Sequence, residues 1–514
     1  MRPMTAASTA ATISARAPRL IRALAATPLG IALAVTALIT AARLTGTVDT
    51  DVAWQLWIAG RMHAGANLYH DIIETNPPLW FWMAIPVDRL ATLLHLRIET
   101  VLIVTMGALV AVSLAATDRL IGQIAPRRRA LLLTYAALIL AATMHVGQRE
   151  QIVLISTLPY IALVAARREG KPASPLIAAL IGVGAALGFA LKHYFLIVPA
   201  ALELWLLTGQ GRGWRPLRPE TVAIVSVGLA YALAIFLFEP DFLTKIVPLN
   251  RLAYGDLGAP GLRYMFGPLA LAGLVPLAFA VPQYRLLAKA PFASALVVAG
   301  FGFAAVYFIQ FKGWTYHAVP LLGCGSLALA ALLAEIETPW AWLRMIASSL
   351  LILPFAASVD EAAHPQFPNP DLIGAVSGLQ PGDAVGFLTT ETAIPWSVTL
   401  QGQYRYASRY NGFWMIRAIM LNERAPNPDP RLVELGRRIV AETAADFACT
   451  PPKRIIVNRP RPGEGTFDML PFFLRDPNFA AVLSHYKVRS RTSLETYELA
   501  SALPRPAGPC RNGV

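Results

Sequence analysis

The chain has 514 residues, of which 55% are hydrophobic and 15% are charged, and its mean hydropathy is +0.51. One water-soluble core cannot bury so many apolar residues, so a soluble globular protein is excluded and lipid must cover much of the surface. The formal net charge is +13. The basic residues stand mainly between apolar runs, where membrane orientation explains them and nucleic-acid binding is not needed.

Several apolar runs approach the roughly 20 residues that a helix needs to cross about 30 Å of hydrocarbon. The first follows three arginines and lacks a clear cleavage site, so we predict a retained span and not a signal peptide. With a cytoplasmic N-terminus, short basic loops should stay inside. About eleven spans satisfy this rule and leave the C-terminus outside: 24–43, 98–121, 130–146, 151–166, 174–191, 195–208, 221–238, 264–281, 291–309, 318–334 and 340–357.

The apolar stretch Pro77 to Leu94 is treated differently from these spans. If it crossed the membrane completely, the basic cluster Arg127, Arg128 and Arg129 would fall on the outer side. We therefore predict a juxtamembrane or re-entrant helix that stays on the outer side.

From about Val359 the composition becomes polar and proline-rich. Ala384 to Leu388 and Arg454 to Val457 have the pattern of strands, and Arg431 to Ala445 has that of a helix. The sequence predicts a mainly α polytopic membrane protein with a C-terminal α/β soluble domain. Its predicted parts are a cytoplasmic tail over 1–20, a transmembrane domain over 21–357 and a periplasmic domain over 358–514.

Three cysteines are too few for a disulfide scaffold or a cysteine-cluster metal site. Cys449 and Cys510 both fall in the domain placed outside, where an oxidising compartment permits disulfides. A bond between them would hold a tail that otherwise frays. The alternative is two unrelated thiols.

The first outer loop carries two carboxylates just beyond the first span, Asp49 and Asp51. Such a pair can supply a general base that takes a proton from an acceptor hydroxyl. It can also hold a divalent cation, the one cofactor that the sequence leaves open. The third interpretation is a solvated loop with helix-capping aspartates. Further polar residues follow in the same loop: Tyr69, Asp71, Glu74 and Asn76.

Basic residues also stand at three outer span ends, against the rule that positive charge stays inside. Phosphate bound by arginine and lysine would compensate for them through charge-assisted hydrogen bonds. The alternatives are local pairing of Arg149 with Glu150 and extension of Lys192 toward lipid headgroups. The predicted phosphate-binding set is Arg149, Lys192, His193, Lys312, Tyr316 and His317.

Three segments of the chain resemble the GT-C glycosyltransferase superfamily, in the branch of protein O-mannosyltransferases and lipid A aminoarabinose transferases. They are the first-loop sequence from Asp49 to Leu79, the segment Gly147 to Glu150, and the segment Lys312 to Pro320. The resemblance covers about residues 20 to 357. Close members often have an aspartate where this chain has Glu150.

The resemblance implies a polyprenyl-phosphate-linked sugar donor, inversion at the anomeric carbon and an acidic first-loop residue near the acceptor. It implies catalytic roles for Asp49, Asp51 and Glu150, and a glycan, lipid or protein as acceptor at the outer face of a bacterial inner membrane. Membrane lipids are the other expected partners. Two rival classes stay open: a transporter or flippase of a polyprenyl-linked or anionic solute, and a non-catalytic membrane scaffold. Transporters usually show related halves and midplane polar residues, which this sequence lacks.

Overall fold

A computed structural model of the protein describes residues 27–143, 145–254, 262–335, 369–459, 468–504 and Cys510. Within these residues, seven helical segments are long and apolar enough to cross a membrane, and Pro28–Arg43 and Pro175–Ala190 are shorter apolar helices. The protein is thus a multi-pass membrane protein. The predicted span 130–146 is a helix only over Arg129–Ala141, and the predicted span 340–357 lies outside the described residues.

The helices of the membrane-spanning part and its loops, numbered in chain order, are α1 Pro28–Arg43, α2 Thr50–His63, α3 Leu79–Leu94, α4 Ile98–Ile124, α5 Arg129–Ala141, α6 Arg149–Arg168, α7 Pro175–Ala190, α8 Ile197–Gln210, α9 Pro219–Phe238, α10 Val247–Ala253, α11 Leu262–Met265, α12 Pro268–Ala280, α13 Tyr284–Leu287, α14 Pro291–Gln310 and α15 Val319–Glu335. Short 3₁₀ turns precede α8 at His193–Leu196 and α15 at Thr315–Ala318. The helix predicted at 77–94 is present as α3, and its placement on the outer side stays a prediction.

Local sequence explains where the first two helices begin. The Thr27 hydroxyl accepts a hydrogen bond from the backbone N–H of Gly30 at 3.0 Å, and Pro28 occupies the first turn of α1. Asp49 caps α2 in the same way, accepting from the N–H of Asp51 at 2.8 Å. Both residues satisfy N–H groups that a helix start leaves unpaired.

The described residues form two compact units. The first takes in the described parts of 1–47, 102–230 and 260–364, and the second those of 48–101, 231–259 and 365–514. The predicted domain boundary at 358 stays a prediction, because it falls outside the described residues.

The apolar helices differ sharply in exposure. In the most apolar stretch of α6, 94% of the residues are buried, whereas none of the corresponding residues of α9 is buried. A helix that is apolar all round and exposed needs lipid as its solvent. Gly188 of α7 permits close packing on α6, because a Cβ there would collide with the Ser156 hydroxyl and lie 3.1 Å from the Val153 Cα.

The second unit contains a five-stranded mixed sheet with the strand order β2-β1-β3-β5-β4. β1 pairs in parallel with both β2 and β3, while β5 pairs antiparallel with β3 and β4. The strands are β1 Ala384–Leu388, β2 Arg405–Tyr406, β3 Arg454–Asn458, β4 Tyr486–Arg491 and β5 Leu494–Leu499. The helices around it are α16 Pro370–Val376, α17 Ala393–Trp396, α18 Met415–Glu423, α19 Pro430–Cys449, α20 Met469–Phe473 and α21 Pro477–Leu483.

This C-terminal region matches the sequence prediction closely. The predicted strands are β1 and β3, and the predicted helix at 431–445 is the centre of α19. A disulfide joins Cys449, the last residue of α19, to Cys510, with 5.6 Å between their Cα atoms. By the loop-entropy model, a cross-link over 61 residues stabilises the fold by about 4 kcal/mol at most.

Candidate functional site

A buried polar cluster in the first unit is centred on the ammonium group of Lys192. Its Nζ lies 2.5 Å from Oε1 of Glu150, 3.1 Å from Oε1 of Gln310 and 3.1 Å from Nε2 of His317. Glu150 is fully buried and His317 is 5% exposed. Three of these four residues come from the set that the sequence singled out, although they are far apart along the chain. We call Arg149, Glu150, Lys192, Gln310 and His317 the Lys192 cluster.

The start of α6 is fixed by a side chain from its first turn. Gly147 has a φ of 85°, which favours glycine, and its N–H donates to the Gln151 amide oxygen at 2.8 Å. The Gln151 amide nitrogen donates to the carbonyl of Leu140 at 2.9 Å, near the end of α5. These two bonds hold the turn from α5 into α6, and so fix where Arg149 and Glu150 begin the helix.

The Lys192 cluster is only partly paired. A lysine ammonium has only donors, so Nε2 of His317 accepts and the imidazole proton lies on Nδ1. Among the described residues, this buried Nδ1 has no hydrogen-bond partner, and neither have Nε of Arg149 and Oε2 of Glu150. Buried donors without acceptors are rare, because each loses its water without a replacement. These two donors, His317 Nδ1 and Arg149 Nε, are therefore available to a ligand that accepts hydrogen bonds.

An aromatic ring lies beside the same ammonium group. Lys192 Nζ lies 5.6 Å from the centroid of the buried Tyr316 ring, within cation–π range. Tyr316 in turn contacts the rings of His145, Trp314 and His317. The Thr315 hydroxyl lies 3.0 Å from His145 Nε2. Rings that exclude water strengthen every electrostatic interaction at this site.

Of the two remaining residues of the predicted phosphate-binding set, Lys312 lies near the Lys192 cluster and His193 is exposed. Lys312 is close enough to interact electrostatically with His317, as are Arg149 and His145. Burial lowers the pKa of Lys312 below its ordinary value of 10.5. His193 is exposed and lies against Tyr194, with ring centroids 3.9 Å apart. The structure thus groups Arg149, Lys192, Lys312, Tyr316 and His317, while His193 is exposed beside Tyr194.

The opposite end of α6 carries a second buried charge cluster with different pairing. Arg167 donates to both carboxylate oxygens of Glu220, at 3.0 and 3.1 Å. Arg218 donates to Glu220 at 3.0 Å and also to Glu203, which accepts from Tyr160 at 3.0 Å as well. Here two arginines face two glutamates.

In the second unit, the first-loop carboxylates have different environments. Asp49 caps α2, so one role that the sequence left open for it is realised. Asp51 lies in the first turn of α2 and is half-buried. Among the described residues, no group of three or more His, Cys, Asp or Glu side chains is arranged to hold a metal ion. A divalent cation at Asp49 and Asp51 stays a prediction.

The remaining loop residues of the predicted site bind one another. Glu74 is fully buried and accepts from Trp54 Nε1 at 3.0 Å, from Asn76 Nδ2 at 2.6 Å and from Asn411 Nδ2 at 3.2 Å. The Tyr69 hydroxyl donates to the carbonyl of Asn76 at 2.6 Å. Through Asn411, these hydrogen bonds connect the first loop to the segment that follows β2. Glu74 therefore has a structural role in holding the loop.

Asp71 is also held within the loop. Burial raises its pKa, but hydrogen bonds from the Asn67 N–H and from His70 outweigh that effect and hold the pKa below its usual value. Asp71 therefore stays ionised, which suits an anchor for the turn around Tyr69, whose φ is 66°. A proposed role of these residues in acceptor binding stays a prediction.

Sequence reasoning missed two polar residues that the structure brings forward. Gln310 ends α14 and binds Lys192. Gln55 lies on α2, is fully buried and has no partner for either end of its amide among the described residues. Gln55 shares a helix face with Asp51 at a spacing of four residues, a signal that was readable from the sequence once α2 was recognised as a helix.

Comparison of the sequence with protein-family models gives no match, and comparison with curated proteins gives none either. The fold, in contrast, is similar to that of ArnT from Cupriavidus metallidurans, whose crystal structure was determined bound to undecaprenyl phosphate. The match has a TM-score of 0.57 at 10% sequence identity and covers 93% of this chain and 99% of that one. The likeness is one of fold, and it agrees with the fold that the loop motifs predicted.

Proposed function

We propose that the protein is a membrane glycosyltransferase that moves a sugar from a polyprenyl-phosphate donor to an envelope acceptor. The reaction takes place on the outer face of the bacterial inner membrane, with the C-terminal domain in the periplasm. The Lys192 cluster binds the donor phosphate. The observation that carries the proposal is the presence, in one buried cluster, of two hydrogen-bond donors without acceptors beside an excess of cationic groups.

Charge and hydrogen bonding both favour a phosphate at this place. Among the described residues of the Lys192 cluster, Arg149 and Lys192 carry positive charge and Glu150 is the one carboxylate. Arg149 Nε and His317 Nδ1 are the donors that lack acceptors. A phosphate supplies both the negative charge and the acceptor oxygens. The similarity to ArnT, solved with undecaprenyl phosphate, supports a polyprenyl phosphate as its carrier.

The proposed reaction is a single displacement. The Asp51 carboxylate takes the proton of the acceptor hydroxyl, whose oxygen attacks the anomeric carbon of the sugar. The bond between that carbon and the phosphate oxygen breaks, and the phosphate leaves with the bonding electrons, so the configuration inverts. Phosphate is a good leaving group, so positioning and stabilisation of its charge by Lys192 and Arg149 supply most of the acceleration.

We propose that the remaining acceptor of the Lys192 cluster, Oε2 of Glu150, binds the donor sugar. Oε2 of Glu150 has no partner among the described residues, whereas Oε1 accepts from Lys192. A sugar hydroxyl is the donor that such an oxygen requires. Glu150 thereby orients Lys192 with one oxygen and binds the donor sugar with the other.

The test is binding of undecaprenyl phosphate to the purified protein, followed by transfer from lipid-linked sugars to a membrane extract of a deletion strain. Lys192→Met should weaken binding and slow transfer by about 100-fold, because one preorganised charged donor is lost. The matched control is Lys171→Met, which removes an exposed lysine beyond the other end of α6. Wild-type affinity in Lys192→Met would refute the phosphate site.

A further inference from the structure

The three faces of α2 are used in different ways. One face packs on α3, where His63 Nδ1 lies 2.6 Å from the Asp88 carboxylate and Gly60 lies against the same side chain. A second face presents Trp57, whose ring centroid lies 5.2 Å from that of Trp396 and 5.6 Å from that of Tyr406. The third face carries Asp51 and Gln55, one helical turn apart.

Gln55 does not behave as a packing residue on that third face. It is 0% exposed, yet neither its amide nitrogen nor its amide oxygen has a hydrogen-bond partner among the described residues. An amide buried in this way has lost its water at both ends, which destabilises the fold unless a partner is supplied. Its neighbour Trp54, in contrast, donates to Glu74 at 3.0 Å. A leucine would fill the same position without the loss.

We infer that Gln55 is a specificity-determining residue that binds the acceptor beside the hydroxyl that Asp51 deprotonates. This inference rests on the proposed function, and it names the acceptor chemistry: a carbohydrate with a second neutral polar group next to the reacting hydroxyl. The Gln55 amide donates to one oxygen of that ligand and accepts from a hydroxyl. The amide supplies no positive charge and the Asp51 carboxylate one turn away repels anions, so this face favours a neutral group over a phosphate or carboxylate.

The spacing on α2 agrees with a sugar ring. Residues four apart on a helix are separated by about 6 Å along its axis. Hydrogen bonds of about 2.8 Å from both side chains converge on groups one or two carbon atoms apart. Neighbouring hydroxyls of one sugar fulfil this condition, so the pair would fix which hydroxyl meets Asp51.

The experiment measures transfer at serial dilutions of a membrane extract from a deletion strain, together with thermal unfolding of each purified variant. Gln55→Leu should require about tenfold more extract to reach half of its maximal rate, because two hydrogen bonds to the acceptor are lost. Its binding of undecaprenyl phosphate should equal that of the wild type. Its unfolding temperature should be equal or higher, because the buried amide is gone.

A second variant separates acceptor binding from a structural role. Gln55→Glu keeps the shape but places a charge beside Asp51, so it should lower the transfer rate at every dilution. A lower unfolding temperature for Gln55→Leu would overturn the inference, since Gln55 would then have a structural partner. Unchanged dilution curves would also overturn it while leaving the glycosyltransferase proposal intact. That proposal fails separately, if the wild type does not bind undecaprenyl phosphate.

Discussion

The two ends of α6 carry charge clusters that differ in how completely their polar atoms are paired. At its C-terminal end, Arg167 uses Nε and Nη2 to bind both oxygens of Glu220. At its N-terminal end, Arg149 Nε and one oxygen of Glu150 have no partner among the described residues. Both ends are buried, so burial alone does not distinguish them. The difference lies in how completely the polar atoms are paired.

This difference matters because buried charges are costly unless they are matched. Arg167 and Arg218 face Glu203 and Glu220, and the cost is offset inside the protein. In the Lys192 cluster, positive groups outnumber the single described carboxylate, and the proposed phosphate would offset this cost. A cluster with matched charges offsets its own desolvation cost. A cluster with excess positive charge would instead be stabilised when an anion binds.

The largest expected effect is a loss of unfolding free energy when the charge cluster at the C-terminal end of α6 is disrupted. Glu220→Ala leaves Arg167 and Arg218 buried side by side, and breaking a buried pair in this way costs about 3 to 5 kcal/mol of unfolding free energy. Thermal unfolding in detergent measures the loss. The control is Glu169→Ala, an exposed carboxylate at the C-cap of α6, which should change little. Equal stability of both variants would show that the pairing at this end is dispensable.

At the N-terminal end of α6, a substitution is expected to reduce phosphate affinity without reducing stability. Arg149→Met removes a buried cation whose Nε has no acceptor, so the protein without ligand should unfold at an equal or higher temperature. Affinity for undecaprenyl phosphate should fall by about 10- to 100-fold, because a charge-assisted hydrogen bond is worth roughly 1.5 to 3 kcal/mol. Binding titrations and unfolding curves on the same preparation test both parts. A loss of stability without a loss of affinity would make Arg149 structural.

The sequence was sufficient to predict most of the apolar helices among the described residues, the helix α3 and the strands β1 and β3. Hydropathy and the charge of short loops depend on local composition, so they are readable residue by residue. The segments carrying Glu150, Lys192 and His317 were also identified, because charged residues at outer span ends contradict the expected distribution. Their roles in catalysis and phosphate binding stay predictions.

The sequence did not show which polar side chains bind one another. Glu150 follows Arg149 directly, and local pairing was one interpretation, yet its carboxylate binds Lys192, 42 positions away. Gln310 and Gln55 were missed because a neutral amide gives no charge signal. Similarly, the sequence did not show that Glu74 is fully buried, whereas Asp49 in the same loop caps a helix. Such differences depend on tertiary contacts and not on local pattern.

A smaller effect, specific to the N-terminal end of α6, is expected at Glu150. Its carboxylate lies 2.5 Å from Lys192 Nζ. Because it is negatively charged, it would repel a phosphate bound to the same lysine. Glu150→Gln keeps an acceptor oxygen for Lys192 but removes the charge, so affinity for undecaprenyl phosphate should rise by about tenfold. Transfer should nevertheless slow, because the product phosphate leaves more slowly. Gln310→Met, which removes a neutral partner of Lys192, is the control. Weaker binding by Glu150→Gln would show that the carboxylate mainly holds Lys192 in place.

The smallest expected effect is a pH dependence contributed by Lys312, which tests whether this residue belongs to the charge cluster at the N-terminal end of α6. Burial lowers the pKa of Lys312 below 10.5, so without ligand the ammonium loses its proton at a lower pH than a free lysine does. A bound phosphate favours the charged form and raises that pKa again.

The sign of each dependence follows from these two shifts. Phosphate affinity should be greatest below the lowered pKa and fall as the pH rises through it, by about three- to tenfold between roughly pH 7 and pH 10. The stability of the ligand-free protein should change in the opposite direction, because the unfolded chain then binds the extra proton. Lys312→Arg stays charged over this range and should flatten the affinity curve. Titrations of undecaprenyl phosphate at several pH values compare the two proteins. If their curves were parallel, Lys312 would not contact the phosphate, and the excess charge of this end would rest on Arg149 and Lys192.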